Sequence, residues 1–120
     1  MVRLGKKLLP PGVLAITKDH AGRAVTLTAE RWDHIVKGHP AMEGLEMAVK
    51  RALENADEIG RGNGPNIEII YGRNLGPARW LAVVVAYEEH NAGFILTAYP
   101  QTKDPKASEK GKERPTEAES

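Results

Sequence analysis

Three apolar stretches near the end of the chain sit very close together: NIEIIYGR (66–73), RWLAVVVAYEE (79–89) and GFILTAYP (93–100). Only NLGPA and HNA separate them, and a crossover between parallel neighbours needs a dozen or more residues. Consecutive strands this close predict an antiparallel meander, with HNAG as its hairpin turn.

Upstream, the apolar period changes. VLAIT (13–17) and AVTLT (24–28) read as strands on either side of the turn KDHAGR. Trp32, Ile35 and Val36 then recur at helical spacing, with Thr28 placed to cap the helix and Gly38 to end it. His39-Pro40 predicts the start of a second helix, because proline is tolerated in a first helical turn. Its buried stripe is Leu45, Val49, Leu53 and Ala56, with Ala48 and Ala52 beside them. ADEIGRGNGPN reads as a glycine-rich connection back to the strands. Helices early and strands late define an α+β class, with N-terminal helices on an antiparallel sheet.

The 120 residues allow one domain, and composition sets its limits. Residues 101–120, QTKDPKASEKGKERPTEAES, balance five basic against five acidic side chains without one large apolar group. Such a segment does not offset its ordering entropy, so a disordered charged tail is expected there. Residues 1–12 form a basic N-terminal segment, leaving 13–100 as the domain. Arg3, Lys6, Lys7, Lys18 and Arg23 oppose Asp19 alone over the first 25 residues, within a net charge of +1 for the whole chain. That start could approach phosphates or simply be solvated. The chain has no cysteine, which excludes disulfides, thiolate catalysis and cysteine-built zinc sites. Pro10-Pro11 interrupts the early apolar runs, so neither a membrane span nor a signal peptide is expected and a cytoplasmic location follows by default. GRGNGPN follows a helix, opens a strand and lacks lysine, all contrary to a nucleotide-binding loop.

The chemistry-bearing residues concentrate around two histidines. His34 lies about 200° round the first helix from Trp32, so it belongs to the polar face, flanked by Arg31 at i−3 and Lys37 at i+3. That grouping suits a protonatable imidazole held against a phosphate, and equally a solvated face. His39 falls near the start of the second helix, where free backbone N–H groups favour an anion, or it is a helix-junction residue. The two histidines are five apart with glycine between them, and no HExxH occurs, so no metal site is expected. On the strands, Tyr71 and Arg73 share a face, as do Thr97 and Tyr99, with Phe94, Leu96 and Ala98 pointing the other way and Phe94 and Leu96 assigned to the core. Arg73 could clamp a phosphate, Arg79 being a weaker version of the same idea. Together these groups supply the base, acid and charge-stabilising donors that metal-free RNA cleavage requires.

The ordered series LTAERWDHIVKGHPAM, ALENADEI, YGR, LAVVV and ILTAYP resembles the phage-barnase–EndoU–colicin–RelE-like nucleases over residues 24–100. The resemblance implies helices packed on a curved antiparallel sheet. It also implies a small toxin-like endoribonuclease that uses the 2′-OH as nucleophile and leaves a cyclic phosphate. His34-Ile35 and His39-Pro40 match the family's HI…HP signature, Arg73 its strand-borne polar position, and Thr97 and Tyr99 its closing TAYP element. Ala41 stands where related sequences often carry an acid, and Glu43 arrives two residues later. The expected partners are RNA, such as tRNA or ribosome-associated mRNA, and a protein inhibitor, with no cofactor and no membrane. Arg31, Lys37 and Arg79 are the substrate-binding candidates. The alternatives are a catalytically inactive RNA- or protein-binding module of the same fold, and a small structural protein.

Overall fold

The computed structural model describes residues 2–4, 7–88 and 92–105, with side chains from Leu9 onward. The expected disordered tail lies outside the described residues beyond 105. A small hairpin comes first, β1 (Val2–Leu4) against β2 (Lys7–Leu9). The chain continues through β3 (Val13–Lys18), β4 (Ala24–Thr28), α1 (Ala29–Gly38), a 3₁₀ turn (Pro40–Met42) and α2 (Glu46–Glu54). Four strands finish it: β5 (Glu58–Arg61), β6 (Ile67–Arg73), β7 (Trp80–Glu88) and β8 (Ala92–Gln101). The class is α+β, with one six-stranded sheet ordered β3-β4-β8-β7-β6-β5.

Local sequence accounts for α1 well. The Thr28 hydroxyl accepts the Arg31 N–H at 3.1 Å, which satisfies one donor of the open first turn. Trp32 and Ile35 are buried, while His34 is exposed on the far side as the helical phase required. The second helix departs from expectation. His39-Pro40 opens only a 3₁₀ turn, and α2 starts at Glu46. Gly44 explains the break, since its φ of +82° is a left-handed conformation that a helix cannot contain. The stripe expected on α2 is otherwise in place. Val49, Ala52 and Leu53 are buried, with Leu45, Ala48 and Ala56 packed around them.

The helices and the 3₁₀ turn cover one face of the sheet. Trp32, Ile35, Met42, Val49 and Leu53 meet Val25 and Leu27 of β4, Ile70 of β6 and Leu81, Val83 and Val85 of β7. Each large side chain withdrawn from water this way contributes about 1.5–3 kcal/mol. A smaller cluster of the strand residues Tyr71, Trp80 and Ala82, with Ile69 and Tyr99 beside it, forms on the opposite face.

The sheet itself corrects three expectations. β5 occupies residues assigned to a loop, and it pairs with β6 along the sheet's far edge. The sheet is mixed rather than antiparallel, because β4 pairs with β8 in parallel through Ala24–Thr26 and Ala92–Phe94. The helical segment carries the chain from β4 to the far edge, and the β5–β8 meander then returns it alongside β4. A bulge supplies the third correction. Val85 pairs with Ile95 but Val84 with Thr97, so Leu96 is an extra residue in β8. The alternation therefore slips at Leu96. Ile95 and Ala98 both face the core, at 3% and 0% exposure, and Phe94 is not a core residue but lies 42% exposed.

Candidate active site on the open sheet face

Residues paired directly across strands share a face, which makes the open face readable row by row. One row runs Arg73, Trp80, Gln101. The next runs Glu58, Tyr71, Ala82, Tyr99, and the third Gly60, Ile69, Val84, Thr97. Arg73, Thr97 and Tyr99, chosen from sequence as site residues, thus stand on one surface. The shared face of Thr97 and Tyr99 survives the bulge, because both follow it.

His39 joins this surface from the side. The β4 partnership covers only the first part of β8, and α1 and the 3₁₀ turn pack against β8. His39 sits between those two elements, its N–H bonded to the Ile35 carbonyl at 2.8 Å and its own carbonyl accepting from Met42 at 2.9 Å. Both backbone groups are thereby fixed, and the exposed ring lies 5.6 Å from the Tyr99 ring, tilted by 37°. The anion cradle expected at the start of a second helix is replaced by a single 3₁₀ turn. What remains for chemistry at this junction is the imidazole.

Arg73 ends β6. Its N–H donates to Asp57 at 2.7 Å, and its guanidinium lies 5.0 Å from the centre of the Trp80 ring. Trp80 also meets Tyr71 edge-on at 6.4 Å. The Trp80 Nε1–H is buried without a hydrogen-bond partner among the described residues.

The other candidates lie elsewhere. His34 lines a shallow depression of about 240 Å³ with Thr28, Glu30 and Arg31 at the start of α1. Lys37, expected to flank His34, pairs instead with Asp33 at 3.5 Å in a solvent-exposed contact. Arg79 precedes β7 in the loop after Arg73, where its carbonyl accepts the Asn74 N–H at 2.7 Å. The structure therefore groups His39, Arg73, Thr97 and Tyr99 with the open face and gives Arg31 and His34 a separate setting.

Sequence reasoning missed two features. Glu58 brings a carboxylate onto the open face, opposite Tyr71, from a strand read as a loop. The second is a polar network at the β3–β4 turn, built from residues up to 68 positions apart. The Asp19 carboxylate accepts from the Ala21 and Arg23 amides, from Arg23 Nε at 2.9 Å and from the Tyr87 hydroxyl at 2.6 Å. Arg23 stacks 3.7 Å over the Tyr87 ring and reaches Glu68 at 3.0 Å, and His20 meets the same Glu68 oxygen at 3.3 Å. Burial alone would raise the Asp19 pKa, but the Tyr87 hydroxyl, the two amides and the Arg23 charge together hold it below the usual carboxylate value. Burial, then the bond to Asp19, pushes Tyr87 upward. These groups bond to one another across the turn and the strands, so the network fastens the turn to the sheet.

Among the described residues, no three His, Asp or Glu side chains are grouped to hold a metal ion, and no helix is long and apolar enough to cross a membrane. Neither family models nor curated proteins match the sequence.

Proposed function

We propose that the protein is a small metal-independent endoribonuclease of the barnase–EndoU–colicin–RelE-like type, working on the open sheet face. The observation that carries this reading is the His39 ring beside Tyr99, at the margin of a surface that also presents Arg73 and Thr97. A proton-transfer group, a cation and hydroxyl donors on one face are what phosphodiester transesterification needs. A base removes the 2′-OH proton, the 2′-oxygen attacks phosphorus, and the P–O5′ bond breaks as an acid protonates the departing oxygen. The product is a 2′,3′-cyclic phosphate. His39 serves in proton transfer, with Glu58 as a carboxylate on the same face. Arg73 faces the charge that develops on the phosphorane oxygens, and Thr97 and Tyr99 orient the phosphate. His34 and Arg31, in their own depression, suit a flanking phosphate of the substrate.

The test uses mixed-sequence RNA and a copy lacking 2′-hydroxyls, both in excess EDTA. The expected outcome is cleavage of the RNA alone, ending in a cyclic phosphate and lost in folded His39→Ala. Undiminished cleavage by His39→Ala removes His39 from the mechanism. A wild type that binds RNA without cleaving it favours the second reading, a non-catalytic binding module. The specific observation behind that reading is the apolar exposure of Ile16 and Phe94 on the same face.

A further inference from the structure

Phe94, the only phenylalanine in the chain, occupies an unusual position. It lies in the interior of the sheet, paired with Thr26 of β4 on one side and Ala86 of β7 on the other, yet it is 42% exposed. Both neighbours are small, so neither covers the ring. The bulge at Leu96 decides which residues share its surface. Without that extra residue, Phe94 would alternate with Leu96 and Ala98, opposite Thr97 and Tyr99. With it, Phe94, Thr97 and Tyr99 all face the open side, through their partners Ala86, Val84 and Ala82. Bulges that re-aim a side chain recur beside active sites. The partners of Phe94 and Tyr99 are four residues apart on β7, which places the two aromatic residues about 14 Å apart along the strand.

Resting on the ribonuclease reading, we infer that Phe94 is a base-stacking residue of the site, and that the substrate is single-stranded RNA laid along the open face from Tyr99 to Phe94. A duplex keeps its bases stacked on each other, whereas a single strand can turn an unstacked base onto an aromatic ring. Cations stand beyond both ends of this track. Arg73 lies past Tyr99, and exposed Lys18 lies past Phe94 on the open side of β3, two positions along from Ile16. Glu58 and Glu88 share the face and cancel their formal charge. Phosphate attraction alone therefore does not hold a strand here, and stacking supplies what charge does not.

The experiment measures equilibrium binding of a short fluorescein-labelled RNA, 2′-O-methylated throughout so that it cannot be cleaved. Phe94→Ala is expected to weaken binding about tenfold or more, the scale of one lost base–aromatic stack. Phe94→Leu, which keeps an apolar side chain of similar size, is expected to weaken it nearly as much, and Phe94→Trp to restore it. With two cations on the track, affinity should fall with salt at a log–log slope of about −1 to −2. Wild-type affinity in folded Phe94→Ala or Phe94→Leu overturns the inference and leaves the ribonuclease reading standing. If the wild type binds no RNA, that reading falls as well. Should Phe94→Ala instead convert a dimer to a monomer while binding RNA as before, the ring belongs to a protein interface and the inference is overturned.

Discussion

Among the described residues, two arginines stack on aromatic rings, and they differ in what surrounds them. Arg23 lies 3.7 Å over Tyr87 and is enclosed by carboxylates, Asp19 at 2.9 Å and Glu68 at 3.0 Å. Arg73 lies 5.0 Å from the centre of Trp80, exposed, with its backbone N–H bonded to Asp57. A guanidinium whose charge is neutralised internally stabilises the fold. One held over a ring at the solvent-exposed end of a strand is placed where a ligand can reach it. The contrast separates a structural centre at the β3–β4 turn from the proposed chemical one on the open face.

The hardest test of that contrast removes Arg23. Asp19 has no side-chain exposure, so Arg23→Ala leaves a buried carboxylate without its cation and should cost about 3–5 kcal/mol by denaturant unfolding. Cleavage per folded molecule should stay the same. A loss below about 1 kcal/mol would erase the distinction. Arg73→Ala should do the reverse, lowering kcat/KM by about 10²–10³-fold with a stability change within about 1 kcal/mol. Equal activity in wild type and Arg73→Ala would show that its open charge has no catalytic use.

Acid sharpens the comparison. The Asp19 carboxyl has a lowered pKa in the folded protein, so its stabilisation is present above the unfolded value near 3.9 and fades as pH falls through the folded one. The stability gap between wild type and Asp19→Asn should therefore hold from pH 7 to about 5 and narrow below about 4. A gap that stays constant to pH 2 would mean that the charge of Asp19 is irrelevant. The smallest expected effect concerns His34. It is exposed on the polar side of α1, so His34→Ala should change stability by less than about 0.5 kcal/mol. Trp32→Ala on the same helix should cost about 3–5 kcal/mol. Similar losses in thermal melts of the two variants would contradict the helical phase.

The first helix and the last three strands were legible because their signals are local. Thr28, the Trp32–Ile35–Val36 stripe and Gly38 lie within one short window, and each acts through neighbours three or four residues away. His34 could be placed opposite the core for the same reason. Arg73 and Tyr71, two apart on one strand, shared a face wherever that strand paired. Glu58 was illegible, since its four-residue strand has no apolar alternation of its own and exists as the partner of β6.

What a chain meets far along its own sequence is a different matter. The parallel seam between β4 and β8 joins segments 68 positions apart, and no local pattern specifies it. The bulge at Leu96 lies just past the stretch of β8 that pairs with β4, and it decides whether Phe94 is core or surface. Asp19 and Tyr87 look like a turn acid and a strand aromatic until the sheet brings them to 2.6 Å. The sequence by itself determined α1 and its polar side, the buried stripe of α2 and the last three strands, because backbone geometry repeats every 3.6 or 2 residues. Only the tertiary structure decided which side chains face one another, because strand order and register are chosen by the packing of the whole sheet.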